Sequence, residues 1–132
     1  MGEVDEMICI HNDRFMQVSE TRDGLLLTWK KQTSELSPEK FKEEAMTFVE
    51  IVKKRKVKNI LVDMREFKYT LSNELIAWRN KQVISVYNDR GIEKFAFVSD
   101  KVGLKQDDRS NKFITRYFST IKEAEEWLRN NG

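Results

Sequence analysis

The sequence predicts an α/β fold: a mixed β-sheet of four to five strands with three main helices packed on it. Three observations carry this reading. Ile60-Leu-Val62 and Phe95-Ala-Phe-Val98 are continuous apolar runs, as expected of strands covered on both faces. Capped stretches with helical periodicity alternate with those runs, which implies parallel pairing. A glycine hairpin signal near the start, Arg22-Asp-Gly24, adds antiparallel pairing.

Taken in order, Met7 to Ile10 is a short apolar run that suits an extra strand or an ordered arm. Phe15 to Thr21 alternates in side-chain character and reads as a half-buried strand. Leu25 to Lys30 returns after the hairpin. Ser37-Pro-Glu39 opens the first helix: serine caps it, proline takes its first position, and glutamate meets the positive end of the dipole. Phe41, Ala45, Phe48, Val49 and Val52 then form one apolar stripe. A second helix is expected from Ser72 to about Asn88, with Ile76, Val83 and Tyr87 on its core face and Gly91 ending it in a left-handed conformation. Residues 99–112 read as a long polar loop. Thr115 to Phe118 is a short strand, and Thr120-Ile-Lys-Glu123 is a capping box before an amphipathic last helix carrying Ile121, Ala124, Trp127 and Leu128. The order is β-β-α-β-α-β-loop-β-α.

A chain of 132 residues fits one domain, residues 1–132, large enough to bury a core without staples. Its net charge of only +2 gives no global field for nucleic acid or an anionic membrane, so neither is expected as a partner. The basic string Lys53-Lys-Arg-Lys-Val-Lys58 ends a helix, where cations belong, and has no interleaved aromatics. Cys9 is the only cysteine, so no internal disulfide can form and a reducing, cytoplasmic setting is expected. The acidic start argues against a signal peptide, and no apolar run approaches the ~18 residues of a membrane span.

Asp63, Arg65 and Ser72 fall where α/β folds keep their sites, beyond the carboxyl end of a strand and at a helix start. Ser99 and Asp100 end the neighbouring strand, so the two groups could converge as the rim of a site for a small polar ligand or a partner loop. The plain alternative is a solvated loop with a local ion pair. Ser72 reads first as an N-cap; a phosphate on it would gain from the helix dipole and be opposed by Glu74. Trp78 lies two residues, ~200° of helix, from Ile76, which places it nearly opposite the expected core face: it is an interface candidate, or the helix is covered on both sides by the 99–112 loop or the N-terminal arm. Cys9 and His11 share a face of a strand, but two ligands are too few for zinc and there is no other histidine. No glycine-rich phosphate loop, nucleophile elbow or zinc spacing is present, so no cofactor, metal or catalytic residue is expected. An enzyme would have to work with Asp63 and Asp100.

Several strings, in order, resemble the STAS domains, the fold of the anti-sigma-factor antagonists, and in particular bacterial STAS-like proteins of unassigned function grouped with the Sec14-type lipid-binding fold. They are Gly24-Leu-Leu-Leu-Thr-Trp-Lys30, Asn59-Ile-Leu-Val-Asp-Met-Arg65, Leu71-Ser-Asn-Glu74 with Trp78, Gly91-Ile-Glu-Lys-Phe-Ala-Phe-Val98, and Arg116-Tyr-Phe-Ser-Thr-Ile-Lys-Glu-Ala-Glu-Glu-Trp-Leu128. In the antagonists a serine at the matching helix start is phosphorylated by a partner kinase, and Ser72 takes that place, with Leu71, Asn73 and Glu74 as its neighbours here. The resemblance implies a STAS-like, non-catalytic domain that binds a protein partner or itself as a homodimer. The Sec14-type likeness implies the alternative, a carrier of a small apolar ligand or lipid.

Overall fold

The computed structural model describes residues 7–99 and 112–130. Six strands form one sheet in sequential order. They are β1 (Ile8–Asn12), β2 (Met16–Thr21), β3 (Gly24–Trp29), β4 (Asn59–Asp63), β5 (Lys94–Val98) and β6 (Ile114–Phe118). β1 to β3 pair antiparallel and β3 to β6 parallel, so the sheet is mixed as expected. It has at least one strand more than the four to five anticipated. The extra one is β1, an edge strand with mostly exposed residues and hence only a faint apolar signature.

Alternation splits the strands into two faces. Leu25, Leu27 and Trp29 of β3, Ile60 and Val62 of β4, and Phe95 and Phe97 of β5 point to one face, into the larger core cluster. Leu26, Leu61, Ala96 and Val98 point to the other, where α4 (Ile121–Arg129) covers them with Ala124 and Leu128. The larger core is closed by α1 (Pro38–Lys53) and by a helical rod over residues 73–89.

Local chemistry sets the ends of these elements. Ser37 accepts a hydrogen bond from the Lys40 amide at 3.1 Å, with Pro38 opening α1. Thr120 caps α4, accepting from the Glu123 amide at 3.2 Å, and its hydroxyl donates to the Glu123 carboxylate at 2.9 Å. Gly91, at φ 80°, ends the rod in the left-handed region. Gly24 closes the β2–β3 hairpin at φ 138°; a Cβ there would lie 2.1 Å from the Asn59 carbonyl oxygen. The buried Asp23 carboxylate beside it takes hydrogen bonds from Arg129, which fastens the last helix to the hairpin.

Two irregularities depart from the sequence reading. The rod is not a uniform α-helix: α2 (Asn73–Arg79) runs into a π segment (Asn80–Ile84) and then α3 (Ser85–Asp89). A π turn takes in roughly one extra residue. Counted through it, the core stripe starts at Leu75 (3% exposed) and runs to Val83, Ile84 and Tyr87, while Ile76 is 44% exposed. The uniform ~100° step had put Ile76 on the core face. The second irregularity is a bulge in β1: Cys9 pairs with Ser19, but His11 pairs with Val18. Ser19 and Val18 point to opposite faces, so Cys9 and His11 do not share one. The bulge turns His11 toward α1.

Candidate functional site

The residues anticipated at the strand ends stand as follows. Asp63 is buried at the carboxyl end of β4, and Arg65 closes on it with Nε 3.0 Å from Oδ1 and a terminal nitrogen 2.8 Å from Oδ2. The Arg65 amide donates to the same carboxylate at 3.1 Å. This is a local ion pair that shapes the turn. Ser99 follows Val98, the β5 partner of Asp63, and its amide donates to the Phe118 carbonyl at 3.0 Å. Asp100 and most of the 99–112 loop lie outside the described residues. Ser72 caps α2, accepting from the Leu75 amide at 3.2 Å. Trp78 is half-buried rather than outward. Its ring meets Phe41 of α1 edge-on at 6.4 Å, and Lys42 lies over it at 5.6 Å. The shifted register of the rod turns it toward α1.

The apolar residues of the same β4–α2 loop do something different. Met64, Phe67, Tyr69 and Leu71 fold over the end of the larger core and wall a cavity of about 560 Å³. Its floor is the sheet (Leu27, Val62, Phe95, Phe97), one side is α1 (Phe41, Ala45, Phe48), and the other is the rod. Rings dominate it. Trp29 lies 5.1 Å from Phe67, Phe41 stacks on Tyr69 at 6.0 Å, and Phe97 stacks on Tyr117 at 5.3 Å. Thr70, Ile76, Asn80 and Tyr117 also line it and are exposed, so they mark its mouth. The volume is that of an ordinary small-molecule site, about 300–1,000 Å³.

The cavity's polar groups are few. Arg79, on the last turn of α2, is the charged residue of the lining. Burial pushes its guanidinium down from its ordinary value, while the nearby Tyr87 and Tyr117 push it back up; an arginine stays charged throughout. Burial pushes the Tyr87 phenol well above its ordinary value, so it remains a neutral hydroxyl. Among the described residues the lining holds no carboxylate, imidazole or thiol. The arrangement can solvate an apolar body and neutralise one negative charge.

A family model described as SpoIIAA-like matches residues 28–129. The chain belongs to the SpoIIAA-like family. No curated protein and no solved structure gives a match. The matched segment runs from the end of β3 through α4, so every lining residue of the cavity except Leu27 lies within the SpoIIAA-like part. β1 and β2 lie before it.

In this SpoIIAA-like chain a second polar cluster sits where β1 meets α1. His11 Nε2 is 2.8 Å from Asp13 Oδ2, and Asp13 Oδ1 accepts from the Phe15 and Met16 amides at 2.8 and 3.0 Å. Glu44 of α1 is 3% exposed and completes the group. Burial, then the hydrogen bond and charge of Asp13, raise the Glu44 carboxyl to about 7. Burial also pushes Asp13 up, but hydrogen bonds from Glu44, His11 and the two amides outweigh it and hold Asp13 at about 2.

The polar strand-end residues were visible in the sequence; Phe67, Tyr69, Arg79 and Glu44 were not picked out as functional. Glu44 carried a signal. It sits between Phe41 and Phe48 on the buried stripe, where a carboxylate needs a partner.

Proposed function

We propose that this chain is a non-catalytic binding domain that holds a small apolar ligand with an anionic head in the aromatic cavity. The observation that carries this reading is a cationic Arg79 in an otherwise apolar and aromatic lining. The fork geometry of its guanidinium suits a carboxylate or phosphate. Among the described residues the lining is mostly aromatic and aliphatic, which favours holding an apolar body. The test is titration with a fluorescent fatty-acid analogue and competition by a fatty acid and its matched alcohol. The acid should bind in the micromolar range and outcompete the alcohol about tenfold, and Arg79→Gln should erase that preference. Equal binding of acid and alcohol by the wild type would contradict the anionic head; binding of neither would contradict the function.

A second reading, regulatory contact with a protein partner or a second copy of the chain, is favoured by membership of the SpoIIAA-like family. Ile114 and Tyr117, on opposite faces of the edge strand β6, are 56% and 37% exposed and could each meet a partner. The rim of Asp63, Arg65, Ser72 and Ser99, with the exposed part of Trp78, would meet a partner loop. A phosphate on Ser72 would then act by disturbing the α2 cap. Sedimentation equilibrium tests self-association: a dimer that Tyr117→Lys dissociates supports it, and a monomer at high concentration removes it.

A further inference from the structure

We propose that His11, Asp13 and Glu44 form a divalent transition-metal site, of the zinc class, that ties the edge strand β1 to helix α1. One ligand atom from each residue lies within 4.8 Å of the other two. The set is one imidazole and two carboxylates, donors that zinc-class ions accept and that leave a position for water. His11 is about one-third exposed, which gives an ion and its water a way in.

Glu44 supplies an independent pointer. It is a buried carboxylate on a stripe of apolar residues, and its Oε1 has no hydrogen-bond partner. Buried polar atoms are nearly always satisfied, and each exception calls for an explanation. Two carboxylates packed beside an imidazole need a proton or a cation among them. The backbone is also organised for the purpose. The bulge in β1 turns His11 to the α1 face, and the two amide bonds to Asp13 Oδ1 leave Oδ2 directed at His11. Lys30 braces the outside of the turn through the Asn12 side chain and the Asp13 carbonyl, both at 2.6 Å, rather than occupying the cluster. His11 and Asp13 precede the segment matched by the SpoIIAA-like family model, and Glu44 lies within it.

The role that follows is structural. A metal bridging residues 33 positions apart would hold an edge strand that otherwise packs on the core through little apolar surface. Hard cations that avoid imidazole, such as Mg²⁺, should not substitute.

The experiment uses the full chain freed of metal by chelation and titrated with Zn²⁺, with Mg²⁺ as control, read by calorimetry and thermal melting. Zn²⁺ should bind one per chain and raise the melting temperature. Glu44→Gln and His11→Gln, at the partly exposed end of the site, should each weaken binding at least tenfold, and Cys9→Ser should leave it unchanged. Co²⁺ should give visible bands without the thiolate charge-transfer absorption that Cys9 would produce. No Zn²⁺ binding below about millimolar, unchanged affinity in both ligand variants, or loss of binding in Cys9→Ser would overturn the proposal.

Discussion

Gly24 sits where no side chain fits. Its positive φ disfavours any L-residue, and an added Cβ would press on the β4 backbone rather than on a movable side chain. Gly24→Ala should therefore cost about 3 kcal/mol or more in urea unfolding, well beyond the ~1 kcal/mol expected of Ser72→Ala, which removes one cap bond. The pair Asp13–Glu44 sets a pH window in metal-free protein. Glu44 has a folded pKa of about 7 against an ordinary 4.5, so the folded state holds its proton more tightly. Its contribution is full below the ordinary value and is lost as pH rises through about 7. Asp13 behaves oppositely: held at about 2 against 3.8, its contribution is present above the ordinary value and is lost as pH falls toward 2. Stability of the chelated protein should thus fall between about pH 5 and pH 8, by on the order of 2 kcal/mol. Glu44→Gln should flatten that fall. A wild type whose unfolding midpoint is level across this range would contradict the assignment.

The rod over residues 73–89 shows how an element can be legible while its facing is not. Its start was readable from Ser72 and its end from Gly91, because caps and left-handed glycines are local chemistry. Which residues it buries depends on the π segment, and no local rule placed an extra residue between Asn80 and Ile84. One residue of slip moved Ile76 out to the mouth of the cavity, turned Trp78 toward α1, and put Leu75 in the core. The same limit applies to β1, where a bulge separates Cys9 from His11. The π segment borders the cavity through Asn80 and Val83 and directly follows Arg79. Deleting the exposed Gln82 should let the rod become a regular helix with Leu75 and Val83 still on one face. The variant should unfold cooperatively yet bind the fluorescent fatty acid at least tenfold more weakly. Unchanged binding would separate the π segment from the site.

At the scale of the whole molecule, the two faces of the sheet are used unequally. Beneath α4 the packing is small and tight, with Leu26, Leu61, Ala96 and Val98 facing Ala124 and Leu128. On the other face large rings from the sheet, α1 and the β4–α2 loop stand apart enough to leave about 560 Å³. The alternating apolar runs that fixed the sheet could not reveal this, since Phe and Trp read as core whether they fill space or frame it. Nor could the sequence bring Arg79 to Phe67 and Tyr117, because their approach is a product of the crossovers. No helix among the described residues is long and apolar enough to cross a membrane. The most direct measurement is native mass spectrometry of the protein purified from cells without denaturation. The expected result is a bound species with the mass of a long-chain acid or a similar anionic amphiphile, lost in Arg79→Gln. A spectrum of bare chain alone, unaltered after incubation with excess fatty acid, would contradict it.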